Sequence, residues 1–339
     1  MSTSISLKPF NTFGLDQRCT ELIEAHSRDV LIDASLAAYA DEKPMLVLGG
    51  GSNLVLTDDF GGTVIRVMTK GIELAETDNA YRLSVEAGEN WHELVEYCLK
   101  HDMPGLENMA LIPGTVGAAP IQNIGAYGIE LCQVCEWVEY LDLSTGDVHR
   151  LNNQACLFGY RDSIFKGELR DKSVILAVGL ILSKAWQPNL SYGPLSEFVS
   201  ETVTPAEIFD KVCEVRRSKL PDPQVLGNAG SFFKNPVVSA AEYTRLASEF
   251  PGIVGYAQAD GSVKLAAGWL IDKAGLKGYQ QHGVGVHQQQ ALVLVNLGSA
   301  TGSSVCALAR HVISKVFAKF GVMLEPEPRV IGRNGEVRI

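Results

Sequence analysis

No run of apolar residues in this chain reaches the roughly 18 to 20 that a membrane helix needs, so a membrane-spanning protein is not expected. A surplus of positive charge is lacking too. Lys and Arg number 29 against 39 Asp and Glu, a formal charge of −10. Nucleic acid and anionic membrane both require a basic footprint and are not expected as partners. An anionic small molecule needs only a local cluster of Lys and Arg. The N-terminal segment Met1-Ser-Thr-Ser-Ile-Ser-Leu-Lys-Pro9 has no basic stretch leading into an apolar run, so no signal peptide is expected. Seven scattered cysteines, an odd number, do not make a disulfide framework and suit a reducing cytoplasm. Cys132 and Cys135 have redox-motif spacing but neither a second pair nor an adjacent His, and are read as structural thiols. His282 and His287 flank Gly283-Val-Gly285, and no metal is expected there. Internal repeats and low-complexity tracts are missing as well.

What is present is an ordinary globular composition, 46% apolar and 20% charged, over 339 residues. That length calls for two or three domains. Met45-Leu-Val-Leu48 reads as a strand running into Gly49-Gly50-Gly51-Ser52-Asn53. The dinucleotide fingerprint requires a third glycine opening a helix. Here Leu54 takes that place and Val55-Leu56-Thr57 reads as another strand. A strand-loop-strand remains, either a nest of backbone N–H groups for a pyrophosphate or a plain glycine-rich hairpin.

Strands follow at 63–67 and 81–85. Asn90 and Glu93 then cap a helix that carries Trp91, Leu94, Val95, Cys98 and Leu99 on one face. The next stretch, Leu111-Ile-Pro-Gly-Thr-Val-Gly-Ala-Ala-Pro120 and on to Gly128, has too many glycines and prolines for a helix or a central strand. It is also too apolar for a surface linker, and reads as backbone laid against a flat ligand or as a buried structural loop. Strands return at 138–142 and 173–182, with Arg161 in a turn-like stretch between them. Thr204, Pro205 and Glu207 start a helix taken to open a second domain. Further expectations are a helix ending at Gly275, a strand over 288–295 with amides at its entrance, and a helix from Val305 to Phe320 stopped by Gly321. Lys273 and Lys277 read as solvated charges near a helix end.

The most informative stretch is Gly227-Asn-Ala-Gly-Ser231-Phe-Phe-Lys-Asn-Pro236. Its glycines let backbone approach a ligand closely, and no His or Asp stands nearby to make Ser231 an acyl-transfer nucleophile. A proton donor is the better reading.

Together with Asn11-Thr-Phe-Gly14, Ile112-Pro-Gly-Thr-Val-Gly-Ala118, Asn123-Ile-Gly-Ala-Tyr127, Tyr160-Arg-Asp-Ser163 and the Glu325-Pro-Glu327 stretch, these segments resemble the UDP-N-acetylenolpyruvoylglucosamine reductase (MurB) family. Tyr192-Gly-Pro-Leu195 resembles its type I branch. The resemblance spans nearly the whole chain. It implies an α+β protein, with an FAD-binding domain of the vanillyl-alcohol-oxidase type followed by a smaller α/β substrate domain. The expected division is 1–203 (in two lobes, 1–68 and 69–203) and 204–339, with the last strand returning to the FAD region. It implies NADPH-dependent reduction of UDP-N-acetylglucosamine enolpyruvate in the cytoplasm by a monomer, with FAD carrying the hydride.

By the same resemblance, Ser231 is the proton donor and Arg161 and Glu327 complete the catalytic set. FAD falls to Gly49, Gly50, Gly51, Ser52, Asn53, Pro113, Gly114, Thr115, Gly117, Ala118, Asn123, Gly125, Ala126 and Tyr127. The UDP-sugar falls to Tyr160, Tyr192, Lys219, Asn235 and Gln290. Pro328 departs from the aliphatic residue usual in the family. Glu327 is preferred over Glu325 because it keeps its spacing to Arg329 and Gly332. Two alternatives stand beside this reading: a flavin oxidase of another small molecule, which needs no separate proton donor, and a nucleotide-sugar binding protein without catalysis.

Overall fold

The computed structural model describes residues 4–339. Residues 1–3, the start of the segment read for a signal peptide, lie outside them. Among the described residues no helix is long and apolar enough to cross a membrane. The chain forms two compact units. The larger joins Thr20–Gly50 to Gly61–Ser218; the smaller joins the N-terminal residues through Cys19 to Gly51–Phe60 and Lys219–Ile339.

The larger unit is built on a five-stranded antiparallel sheet in the order Val148–Asn152, Cys135–Asp142, Ser173–Ser183, Ala80–Glu86, Ile72–Glu76. Ser173–Ser183 lies between two partners and is buried from Val174 through Leu180, which explains its unbroken β-branched and aliphatic run. Beside it, Gly179 makes room for the Trp137 indole: a Cβ there would overlap the ring. The helix Trp91–Lys100 starts where its cap predicts, with the Asn90 side chain accepting the Glu93 N–H. Its Trp91, Leu94, Val95 and Cys98 enter the same core as Val85 and Val116. Met45–Leu48 pairs in parallel with Phe60–Val67.

The helix Pro205–Lys219 has the expected reciprocal cap between Thr204 and Glu207. It lies in the larger unit through Ser218, and its Ile208, Val212 and Cys213 belong to that unit's core. The contact-defined division thus falls after this helix, whereas the sequence expectation put it before. Capping signals mark where a helix begins and say nothing of which core receives its apolar face.

In the smaller unit one antiparallel sheet runs Asn228–Ser231, Val293–Asn296, Val284–Val286, Gln280–Gln281. A second sheet is formed by Val237–Val238, Val263–Leu265 and Gly255–Ala257. In a third, Arg329–Gly332 pairs in parallel with Leu54–Leu56 and antiparallel with Gly335–Val337. The helix Gly302–Phe320 is closed at its start by a Thr301–Ser304 capping box and at its end by Gly321 at φ +71°. Its first residue must be glycine, since a Cβ would meet the Thr57 Cα at 2.5 Å. The strand expected over 288–295 is shorter. Val293 N–H donates to the Gln290 carbonyl and Gln290 N–H to His287 Nδ1, so Gln288–Gln290 turn rather than extend.

Candidate active site

In the larger unit the loop from Leu111 is laid along the segment that precedes and starts the helix Trp91–Lys100. Trp91 N–H donates to the Gly114 carbonyl at 3.1 Å, Val116 N–H to Glu89 at 2.8 Å, and Gly117 N–H to Ala87 at 2.9 Å. Asn90 and Thr115 form a bridge between these rungs. Gly49 and Gly50 sit directly against this loop. A Cβ on Gly50 would lie 2.9 Å from the Gly114 Cα, and one on Gly49 would lie 2.5 Å from the Thr115 hydroxyl. One on Gly117 would meet the Ala87 Cβ at 2.5 Å. These glycines therefore let two loops touch. Pro113 is exposed beside them, while Gly114, Thr115 and Ala118 are half-buried.

The next loop is held by amides. Asn123, itself at φ +44°, donates to Glu130 and to the Gly159 carbonyl and accepts from the Cys132 N–H. A Cβ on Gly125 would lie 2.7 Å from the Ile129 carbonyl, which explains a glycine in the short hairpin of Gly125–Ala126 with Ile129–Glu130. Tyr127 has φ +49°, and its carbonyl accepts from the buried Asn108, which also binds the Asn189 carbonyl. Asn189 in turn binds the Gly128 carbonyl. That double fastening docks the segment of Tyr192, whose exposed ring meets Tyr127 edge-on at 5.5 Å. Asn108 and Asn189 carry no sequence signal, because their partners are backbone carbonyls far along the chain.

Arg161 also has φ +55°, in a turn closed by the Gly159–Asp162 bridge. Its Nη2 donates to the Gly125 carbonyl at 3.2 Å and its guanidinium lies 5.5 Å from the Tyr160 ring. Ser163 fastens the turn to the Ile121 carbonyl. Leu111, Asn123, Tyr127 and Arg161 thus cluster in a backbone region that non-glycine residues rarely adopt, a pattern associated with functional sites. One residue here was missed entirely. Arg216 is half-buried, and its Nε is buried with no hydrogen-bond partner. Burial, and to a lesser extent Arg161, lowers its pKa, while Tyr127 and Cys213 oppose that shift. A buried guanidinium with an orphaned donor is costly unless an acceptor arrives.

In the smaller unit the Asn11–Gly14 motif is a clamp. Asn11 closes its own turn by binding the Leu7 and Leu15 carbonyls. Thr12 N–H donates to Gly51 at 3.0 Å and its hydroxyl to the Asn228 carbonyl at 2.7 Å, while Phe13 is fully buried. Gly227 must be glycine because a Cβ would lie 2.5 Å from the Phe13 carbonyl; Gly230, at φ +68°, faces open space. Only the second of these two fits the expectation of glycine as a means of close approach. Thr12→Val, which keeps the shape and loses the hydroxyl, is expected to lower unfolding stability by about 1 kcal/mol. Urea denaturation of the two proteins side by side measures this.

Ser231 ends a strand, opposite Val293. The chain beyond it pairs with the C-terminal acidic stretch: Glu327 N–H donates to the Phe232 carbonyl at 2.9 Å, Lys234 N–H to Glu325 at 2.9 Å, and Phe233 bridges Pro326. Glu327 therefore lies one residue across from Ser231 in the backbone ladder. Asn53 joins the same place, its amide 3.4 Å from the Glu327 carbonyl and its own carbonyl accepting from Arg329. Ser52 is half-buried next to it. Glu325 is largely exposed and its carboxylate is paired with Lys234 at 2.9 Å. Asn235 Oδ1 accepts the Ala267 N–H at 3.0 Å. Gln290 Oε1 lies by Gly268, where a Cβ would be 3.2 Å away. Both amides thus meet the first turn of the helix Ala267–Lys273. Burial lowers the His287 pKa, favouring the neutral ring that accepts the Gln290 N–H. Lys219 is exposed at a helix C-terminus.

The cysteines are all free thiols. Burial pushes Cys98 and Cys156 up to about 12 and raises Cys132 and Cys135 as well, so thiolate chemistry is disfavoured. Among the described residues no group of three or more His, Cys, Asp or Glu is placed to hold a metal.

Comparison with known proteins matches two stretches of the chain to two family models. A family model of an FAD binding domain matches residues 20–152, and one of the UDP-N-acetylenolpyruvoylglucosamine reductase C-terminal domain matches residues 222–331. The chain is 66% identical to the UDP-N-acetylenolpyruvoylglucosamine reductase of Shewanella sp. (strain ANA-3), over 100% of this chain and 99% of the relative. It is 56% identical to that of Escherichia coli O157:H7, over 98% and 97%. The crystal structure of UDP-N-acetylenolpyruvylglucosamine reductase from Thermus caldophilus superposes with a TM-score of 0.65 at 26% identity, covering 96% of this chain and 97% of that one. With relatives of this identity over its whole length and both family models matched, the chain belongs to the UDP-N-acetylenolpyruvoylglucosamine reductase family and is an FAD-dependent oxidoreductase.

Proposed function

We propose that this chain reduces UDP-N-acetylglucosamine enolpyruvate to UDP-N-acetylmuramate with NADPH as the electron source, and that Ser231 delivers the proton. The observation that carries the reading is the pairing of the Ser231 strand with the acidic C-terminal stretch, through the 2.9 Å bond from Glu327 N–H to the Phe232 carbonyl. It supports a hydroxyl and a carboxylate, distant in sequence, serving one centre. FAD, when bound and reduced, would supply the hydride.

The residues fit that cofactor. Gly49 and Gly50, lacking Cβ atoms, let their turn pack against Gly114 and Thr115 so that one ligand could touch both loops, and the orphaned Nε of Arg216 beside Tyr127 suits a carbonyl-bearing or anionic group. Gly51, Ser52, Asn53, Pro113, Gly117, Ala118, Asn123, Gly125 and Ala126 complete the set that would hold it.

The rest of the chemistry falls to side chains. Addition of hydride to the terminal carbon of an enolpyruvyl ether leaves negative charge on the carbon next to the carboxylate. Arg161 would hold that carboxylate and stabilise the charge as it spreads onto it. The Ser231 hydroxyl would protonate the charged carbon, a step worth about 10²- to 10⁴-fold for a positioned acid. Glu327 would orient the intermediate or polarise a water. Tyr160, Tyr192, Lys219, Asn235 and Gln290 would bind the UDP-sugar. The test is direct: the purified protein should be yellow and should oxidise NADPH when the enolpyruvyl sugar is added. A colourless protein that binds the sugar without consuming NADPH would instead be a binding protein.

A further inference from the structure

The helix Trp91–Lys100 presents a side chain to the flavin loop that neither the sequence motifs nor the reaction uses. The His92 ring stacks on Phe209 at 5.6 Å and 9°. Its Nδ1 accepts the Leu111 N–H at 3.1 Å, and its Nε2 lies 3.8 Å from Glu96. A neutral imidazole has one donor and one acceptor, so an accepting Nδ1 puts the proton on Nε2, toward Glu96. Leu111 opens the loop and has φ +56°. A leucine stays in that conformation only where its surroundings hold it. The later rungs of the loop, at Gly114, Val116 and Gly117, are held by backbone, whereas the Leu111 amide is held by this ring.

We propose that His92 is a positioning residue for the cofactor: in its neutral form it fixes Leu111 in the left-handed conformation and so pre-forms the loop 111–118 for FAD. The inference rests on the reading of that loop as an FAD-holding segment. Protonation of Nδ1 replaces the acceptor with a donor and sets two N–H groups against each other. The charged groups facing the ring are Glu96 and Glu93 on its own helix and Arg216 and Arg217 on the helix Pro205–Lys219. Burial lowers its pKa below 6.5; Glu96 and Glu93 oppose this and the two arginines add to it. Because the folded value is lowered, the contribution is complete above 6.5 and is lost as the pH falls through that lower value.

The experiment compares the wild type with His92→Asn, whose Oδ1 can accept in place of Nδ1 without titrating, and His92→Leu, which cannot accept. FAD Kd is measured by fluorescence from about pH 8 downward to the lowest pH at which circular dichroism shows the native fold, through and below the ordinary imidazole range, with amide hydrogen exchange over residues 111–118. The wild type is expected to bind FAD about tenfold more weakly at the acid end of that range, the effect of one unsatisfied, partly buried donor. His92→Asn should lose that dependence and keep the higher affinity. His92→Leu should be about tenfold weaker throughout that range, with faster exchange at Leu111. A His92→Leu protein with wild-type affinity and wild-type pH profile overturns the proposal, as does a His92→Asn protein that keeps the pH dependence. FAD that leaves 111–118 unprotected in the wild type removes the loop reading and the proposal with it. Protection present in the wild type and undiminished in His92→Leu removes the proposal alone.

Discussion

Ser231→Ala is expected to leave the reduction of bound FAD by NADPH intact while turnover of the enolpyruvyl sugar falls by about 10²- to 10⁴-fold, the range for loss of a positioned acid. The two half-reactions separate because only the second needs a proton on carbon. The fold should tolerate the change. Ser231 contributes to its sheet through its backbone, opposite Val293, and the bonds that set the strand's position come from Phe232, Lys234 and Asn228. Alanine keeps all of them. Rapid-mixing measurements of the flavin absorbance give each half-reaction its own rate. Equal loss in both would remove the proton-donor role and point instead to damage at the flavin.

The second large effect separates two carboxylates only two residues apart. Glu327→Gln should lower turnover by about 10²-fold or more, since the neutral amide keeps the size but not the charge that orients or polarises. Glu325→Gln should leave turnover unchanged. Glu325 is largely exposed and its partner is the Lys234 ammonium, an ion pair of a kind worth about 0–1 kcal/mol. Steady-state kinetics of the two variants, with Tm as a check on folding, decide between them. A large loss in Glu325→Gln and none in Glu327→Gln would reverse the assignment, and Pro328 would then mark a real shift of the catalytic carboxylate along the chain.

Local physics made much of this chain legible. The caps at Asn90 and Thr204, the stop at Gly321 and the apolar run of Ser173–Ser183 act on neighbours within a turn, and they lie where the sequence suggests, whereas the last helix starts under the Thr301 cap at Gly302, ahead of the expected Val305. The site residues proposed here come from family-level motifs, which composition cannot supply. What escaped is non-local. The helix Pro205–Lys219 has an ordinary cap, yet its apolar face belongs to the core formed before it. The turn at Gln288–Gln290 exists because His287 accepts an amide proton, which hydrophobic periodicity cannot register. Gly49 and Gly50 look like room for a ligand but are required by the backbone and side chain of Gly114 and Thr115. Arg216 reads as one more charge on a helix. Only burial of its Nε without a partner marks it as waiting for an acceptor.

The most direct test of the proposed chemistry is an anaerobic titration of the FAD-loaded wild type. Stoichiometric NADPH should bleach the flavin, and addition of UDP-N-acetylglucosamine enolpyruvate should restore its colour with one UDP-N-acetylmuramate formed per flavin. Flavin that bleaches and stays bleached after the sugar is added would contradict the account.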